Sequence, residues 1–315
     1  MRLVFLGTPA FAVPTLERII QAGHEVVAVV TQPDRPRGRG GKFAAPPVKE
    51  TALRHGLPVY QPERVRRPDA VEHLRGLGVD AMVVVGYGQI IPQVVIDLAP
   101  LGIINVHASL LPKYRGAAPV QWAIVNGETR TGVTTMRIDA GLDTGEMLLK
   151  AETEIAPGET AIELGARLAE MGATLLVETL AGLVAGSIVP EKQDDAQATY
   201  APLLKKEDGR LNWSQPALAV HNRIRGLQPW PGAFTTFRGH TLHIWRSQVV
   251  GRRAGSPATG PSGRIVNVRP LAVATADSPL ELLEVQLEGR KRIPAADFVN
   301  GGRVTENELL GETST

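Results

Sequence analysis

The sequence predicts an α/β chain in which a parallel sheet covered by helices is followed by a small β-rich domain. Three observations carry this reading. Apolar, β-branched runs alternate with segments of helical periodicity through roughly the first half of the chain. Beyond about residue 206 the pattern changes to short alternating runs punctuated by Gly and Pro. Charge divides at nearly the same place: residues 205–269 carry 11 Lys and Arg against 2 Asp and Glu, net +9, whereas 1–204 are net −3 and 270–315 net −4.

Taken in order, Met1–Gly7 reads as a buried strand ended by a glycine turn, and Phe11–Gln21 as a helix stopped at Gly23. Glu25–Thr31 is a second strand. Ala81–Val85 and Gly102–Val106 are further strands, with helices between them at 48–55 and 68–76. This alternation implies right-handed crossovers and a Rossmann-like parallel sheet whose ligands bind at the carboxyl ends of its strands. Gly132–Asp139 and Glu146–Lys150 have the character of a hairpin, and Thr160–Ala185 is a long helix that packs back on the sheet. The polar stretch Glu191–Thr199 reads as a linker. The expected division is therefore 1–189, a linker 190–205, and a second domain 206–315. In the latter, strands are expected at Phe234–Phe237, Thr241–Ile244, Gly263–Val268 and Leu282–Val285, with Gly251–Ser262 a mobile loop.

A chain of 315 residues with 43% hydrophobic and 21% charged residues can build a sizeable core. Having no cysteine, it cannot use disulfides, thiolate metal sites or thiol catalysis, which suits a reducing cytoplasm. The apolar start Val4–Leu6 is too short for a signal peptide, and no apolar run approaching the ~20 residues of a membrane span is expected. Positive charge clustered with little acid is the footprint of a phosphate-backbone partner. Candidate contacts are Lys205, Lys206, Arg210, Arg223, Arg225, Arg238, Arg246, Arg252 and Arg253. Trp213, Trp230 and Trp245 are expected to fill the small core rather than stack on bases.

The segment Asn105-Val-His-Ala-Ser-Leu-Leu-Pro112 carries the chemistry. Residues two apart on a strand share a face, so the run ending at Val106 presents Asn105 and His107 together near its carboxyl end. An amide donor beside an imidazole suits acyl transfer to an amine, which attacks a carbonyl unaided once deprotonated. A carboxylate would complete the set. Asp143 and Asp139 both compete for that place, and an Asp flanked by Gly is ordinarily a turn residue. Ser109, Leu110, Leu111 and Pro112 read equally as an apolar wall or as core followed by a turn. Gly86, Tyr87, Gly88, Gln89 and Ile90 are a second candidate wall, the glycines permitting close backbone approach. The pattern GxGxxG is missing after the first strand, which argues against a dinucleotide cofactor. No paired ligands for a metal are seen. Arg35, Arg37, Arg39 and Lys42 crowd among three glycines, too charged to be buried.

The stretch NVHASLLPKYRGAAP at 105–119 and GLDTGEML at 141–148 resembles the folate-dependent formyltransferases. The stretch 31–42, Pro46–Lys49 and the C-terminal extension resemble the branch whose acceptor is aminoacylated initiator tRNA. The resemblance covers nearly the whole chain. It implies a C-terminal barrel of oligonucleotide-binding (OB-like) type and 10-formyltetrahydrofolate as formyl donor, without a metal. The acceptor implied is the α-amino group of methionyl initiator tRNA. It selects Asp143 over Asp139 as partner of Asn105 and His107, sets Ser109–Pro112 against the folate, and sends the Arg35–Lys42 loop, with Arg39 its matched arginine, into the acceptor stem. A cytoplasmic monomer is expected. The competing expectations are a formyltransferase for a small amine, such as glycinamide ribonucleotide or an amino sugar, a Rossmann-type oxidoreductase, and a non-catalytic RNA-binding protein. The first leaves the basic segment without a purpose.

Overall fold

The computed structural model describes residues 1–37, 42–249 and 260–311. In chain order the first elements are β1 (Arg2–Gly7), α1 (Val13–Gln21), β2 (Glu25–Val30), β3 (Arg35–Arg37), β4 (Lys42–Ala44), α2 (Pro47–Arg54), β5 (Val59–Tyr60), α3 (Pro68–Gly76), β6 (Ala81–Val85) and α4 (Gln93–Ile96). Then come β7 (Ile103–His107), β8 (Arg115–Gly116), α5 (Pro119–Val125), β9 (Arg130–Arg137), β10 (Met147–Glu154), α6 (Ala161–Ala185) and β11 (Tyr200–Ala201). The last are α7 (Ala217–Gly226), β12 (Ala233–Phe237), β13 (His240–Val249), β14 (Ile265–Val268), β15 (Leu271–Ala274), β16 (Pro279–Leu287), β17 (Ile293–Pro294) and α8 (Ala295–Gly302).

They form two compact units: Met1–Gly116, Thr131–Thr153 and Gly165–Ala201 in the first, Ala117–Arg130, Glu154–Leu164 and Pro202–Thr315 in the second. The first is built on a seven-stranded sheet in the order β10-β9-β7-β6-β1-β2-β5. Strands β5, β2, β1, β6 and β7 are parallel, and β9 joins β7 antiparallel. Leu3, Val4, Phe5 and Leu6 are fully buried, the reason β1 reads as an unbroken apolar run instead of an alternating one. Helix α1 opens with Pro14 in its first turn and is followed by Gly23 at φ +79°, a left-handed stop that side chains disfavour.

Helix α6 departs from the expectation that no long apolar run is present, since it is long and apolar enough by length and composition to cross a membrane. Its leucines 164, 168, 176 and 180 are fully buried, and charges at Arg167, Glu170 and Glu178 interrupt it. Gly172 brings it close to the sheet, because a Cβ there would lie 2.6 Å from a Val106 methyl. Thr179 and Thr135 exchange a 2.8 Å hydroxyl hydrogen bond along the same contact. This is the packing of a core helix.

In the second unit, antiparallel strands run in the order β12-β13-β16-β15-β14, with β17 beside β16. Register shifts near Arg246 let the ten-residue β13 bend along its partner. The two edges meet through the chain's end: Leu310 N–H donates to the Gly263 carbonyl and Gly311 N–H to that of Thr236, both at 2.8 Å. The sheet thereby closes as a small barrel around Trp213, Phe237, Leu242, Ile244, Val285 and Phe298, with α7 packed on β13 and on α5. The Gly251–Ser262 loop lies outside the described residues except at its end.

Candidate active site

Strand β7 delivers Asn105 and His107 to one face while Val106, between them, packs under α6 on the other. Both polar residues are nearly buried, 8% and 6% exposed. The chain after β7 is folded by its own hydroxyls. Thr134 Oγ1 donates to the Ser109 carbonyl at 2.7 Å and accepts from Leu111 N–H at 3.1 Å, and Ser109 Oγ donates to the Lys113 carbonyl at 2.6 Å. This turn carries Tyr114, at φ +62°, back over β7 and sets its carbonyl oxygen 2.9 Å from His107 Nε2. A carbonyl only accepts, so Nε2 holds the proton and Nδ1 is left to face the site.

Asp143 faces Nδ1. Its Oδ2 accepts from Gly116 N–H at 2.9 Å and lies 3.7 Å from His107 Nδ1, and its Oδ1 is 3.5 Å from Asn105 Nδ2. The other acid is engaged elsewhere: Asp139 accepts from Gly141 N–H and the Thr144 hydroxyl within its own loop. At 3.7 Å the Asp143 carboxylate is beyond hydrogen-bond reach of Nδ1, and the carbonyl of Tyr114, not the carboxylate, holds the imidazole. What Asp143 supplies is charge.

Several residues that build this geometry escape sequence reasoning. Asp143 has φ +52°, sparsely populated for a residue with a side chain. Gln193, buried within the expected linker, donates to the carbonyls of Asp143 and Gly145, each at 2.8 Å. Arg115, buried too, donates from Nε to Gln193 Oε1 at 2.9 Å and from Nη2 to Asp195 at 2.8 Å. Thr199 accepts from Tyr114 N–H at 2.9 Å, and β11 pairs with β8. A sequence gives no local signal for contacts across some 80 positions.

The expected walls divide by exposure. Leu110 and Pro112 are partly open and Ile90 is 91% exposed, whereas Ser109, Leu111 and Tyr87 are buried. Leu111 packs with Met136 and Met147. The Tyr87 ring belongs to the core, burial pushes its phenol up, and its carbonyl accepts from Thr8 Oγ1 and Gln32 Nε2. Gln89 turns away to brace the chain at Val65 N–H and the Pro62 carbonyl. Gly86 and Gly88 have positive φ, and a Cβ on Gly86 would press within 3.0 Å of Pro9. Among the described residues no three His, Cys, Asp or Glu side chains gather as a metal site requires.

Of the cations, Arg35 is exposed on the β3–β4 hairpin, in which Arg37 pairs with Lys42; Arg39 lies outside the described residues. The hairpin is tied down at its base, where hydrogen bonds from Gln61 and then Lys49 hold the Asp34 carboxyl below its usual range. In the second unit Lys205, Lys206, Arg210 and Arg246 are exposed, and Arg223 is half-buried with Nε on the Asp208 carbonyl. Arg238 is tied to Glu308. Arg225 overturns its expectation as a phosphate contact. It is buried, and its guanidinium donates to Asn222 Oδ1 and to the carbonyls of Ala156 and Glu159. Trp213 is core as expected, while Trp230 is 54% exposed. Arg252 and Arg253 lie outside the described residues.

Comparison with known proteins gives this geometry a context. A family model described as formyl transferase matches residues 1–180, and one described as formyl transferase, C-terminal domain, matches 203–303. The methionyl-tRNA formyltransferase of Solibacter usitatus is 75% identical, covering 99% of both chains, and that of Koribacter versatilis is 56% identical over 100% of both. Among solved structures, the N-formyltransferase from Helicobacter canadensis, bound to folinic acid and dTDP-3-aminofucose, superposes with TM-score 0.64 at 17% identity, covering 92% of this chain and 99% of its own. HypX from Aquifex aeolicus in complex with tetrahydrofolic acid gives TM-score 0.65 at 16% identity over 99% of this chain and 51% of its own. Those two likenesses speak to the fold. With a family model matched over more than half its residues and relatives this similar along its whole length, the chain belongs to the formyl transferase family, on the branch of the methionyl-tRNA formyltransferases.

Proposed function

We propose that this chain transfers the formyl group of 10-formyltetrahydrofolate to the α-amino group of methionine esterified to initiator tRNA. The observation that carries the proposal is the convergence of Asn105, His107 and Asp143, with the carboxylate 3.5 Å from the amide and 3.7 Å from the imidazole. That the named relatives are methionyl-tRNA formyltransferases along their full length supports the choice of substrates.

An α-amino group has an ordinary pKa of about 7.7 to 8, so a fraction on the order of 10% is already deprotonated and nucleophilic near neutral pH, and no protein nucleophile is required. As its nitrogen bonds to the formyl carbon, negative charge grows on the formyl oxygen. Asn105 donates to that charge from Nδ2, and His107, whose Nε2–H is held by the Tyr114 carbonyl, donates from Nδ1 once that nitrogen has taken the proton shed by the attacking amine; losing one such donor typically costs about 10² to 10³ in rate. The adduct collapses when the bond from carbon to the folate nitrogen breaks, and the proton lost by the amine ends on that nitrogen, with Asp143 assisting. Leu110, Pro112, Ile90 and the backbone at Gly86 and Gly88 are the surfaces offered to the pterin, while Ser109, Leu111, Tyr87 and Gln89 shape them from behind. Arg35, Arg37, Arg39 and Lys42 take the acceptor end, and Lys205, Lys206 and Arg223 take backbone phosphates. Catalysis is assigned to residues 1–189 and tRNA binding to 206–315, with 190–205 between them, in a cytoplasmic monomer.

The test is direct. Incubated with formyl-labelled 10-formyltetrahydrofolate, the protein should label methionylated initiator tRNA in preference to elongator tRNA, with affinity falling steeply as salt rises. Label entering neither tRNA refutes the proposal, and label entering a small amine without salt dependence favours the small-amine reading.

A further inference from the structure

Asp143 sits in a loop whose backbone should not rest there unaided. The residue is left-handed at φ +52°, lies between glycines, and is followed two residues later by Gly145, whose close approach leaves 1.9 Å between a built Cβ and the Arg137 carbonyl oxygen. The side chain that meets this loop from outside is Gln193, only 4% exposed. Its Nε2 donates to the carbonyls of both Asp143 and Gly145 at 2.8 Å, and its Oε1 accepts from Arg115 Nε at 2.9 Å. The amide orientation is thereby unambiguous: two acceptors face its nitrogen and a donor faces its oxygen. Arg115, 3% exposed, reaches past it to Asp195, which is 80% exposed and so adds little. The residue after Arg115 is Gly116, whose N–H anchors the Asp143 carboxylate. Gln193 therefore ties both ends of one geometry, the backbone of Asp143 and, through Arg115, the strand that binds its side chain.

We propose that Gln193 is the positioning residue of this site, fixing the backbone of Asp143 so that its carboxylate faces His107, with Arg115 setting the orientation of the Gln193 amide. The inference rests on the role given to Asp143 in the proposed reaction. It touches neither substrate, so its loss should appear in turnover and not in binding.

The experiment uses the full chain and compares Gln193→Met, which keeps length but removes donors and acceptor, with Gln193→Glu, which keeps the acceptor for Arg115 and removes the donors. Both should lower kcat by about 10- to 100-fold, the scale of a displacement of about 1 Å. KM for tRNA and folate should stay within about twofold, since ground-state binding is untouched. In an Asp143→Asn background the Gln193 substitutions should add little, because both act through one group. A folded variant of either kind with wild-type kcat overturns the inference, as does a loss that multiplies with that of Asp143→Asn. If Gln193→Met fails to fold, Gln193→Glu carries the same comparison. Should Asp143→Asn alone turn over like wild type, the catalytic reading falls, and this inference with it.

Discussion

Replacing Asp143 by Asn removes one charge and preserves almost every interaction that places it. The Asn oxygen can still accept from Gly116 N–H, so the loop should stay folded. What disappears is the field at His107. Once His107 has taken the amine's proton in the proposed reaction, two unit charges stand 3.7 Å apart and interact by about 4.5 kcal/mol at an effective dielectric of about 20. The Asp143 side chain is 14% exposed, and solvent at that edge trims the figure to about 3 kcal/mol, equivalent to roughly 10²-fold in kcat. The Asn NH2 would also face the Asn105 amide, donor against donor, in place of the present 3.5 Å approach to a carboxylate oxygen. The assay is single-turnover formylation of methionyl initiator tRNA at saturating folate, with Asp139→Asn alongside. Asp139 binds Gly141 and Thr144 in its own loop, so that variant should lose stability more than turnover. An Asp143→Asn rate within about threefold of wild type, ~0.7 kcal/mol, or an equal loss from Asp139→Asn, refutes the electrostatic argument.

Other perturbations test separate parts of the structure. Arg225→Ala should destabilise the protein by about 1 to 3 kcal/mol by removing a buried guanidinium and its hydrogen bonds to Asn222 and to the carbonyls of Ala156 and Glu159, without changing the salt dependence of tRNA binding, whereas Lys205→Ala with Lys206→Ala should lower the salt slope by about one for each phosphate that is no longer neutralised; denaturation and binding titrations separate the two. Gly116→Ala forces a Cβ to 2.6 Å from the Ala201 carbonyl oxygen at φ +118°, so kcat should fall by at least about tenfold as the N–H leaves Asp143, measured beside Tm. Glu308 is held below the usual glutamate range, first by its hydrogen bond from Arg238, so its contribution is present above the ordinary value near about 4.3 and is lost as pH falls through the lowered folded one. Glu308→Gln should lower stability at neutral pH and flatten the acid limb of a stability–pH curve; an unchanged acid limb refutes that linkage.

Legibility in the sequence followed the range of the interactions. Strands β1, β2, β6 and β7 were readable because each is built on a run of apolar, largely β-branched residues, and Asn105 with His107 because a period of two is local. β5, of two residues, and β15, of four (Leu271–Ala274), are too short to show a pattern of their own. Asp143 could not be chosen by spacing, since its left-handed backbone is imposed by Gln193, fifty positions away. Arg225 misled because a cation in a basic run suggests a surface, yet its acceptors come from residues 156 and 159, brought to α7 by tertiary folding. Long-range hydrogen bonds leave no periodic trace.

The direction of β9 explains why the site needs so many braces. In a wholly parallel sheet, loops that follow strands gather beyond the carboxyl ends, where ligands bind. Here β9 runs antiparallel to β7 with Arg137 opposite Ile104, so the chain leaves β9 beside the amino end of β7. Asp143 reaches Asn105 and the Gly116 N–H only because the loop returns over the face of the sheet. A returning loop of Gly-Leu-Asp-Thr-Gly has little packing of its own, with Leu142 61% exposed, and ordering its backbone costs about 1 to 2 kcal/mol per residue. That ordering is offset by buried, bidentate hydrogen bonds from Gln193 and by the Asp139 turn at its start. The glycines that make Asp143 look like an ordinary turn residue are thus what let it reach the imidazole, and the buried amide is what keeps it there.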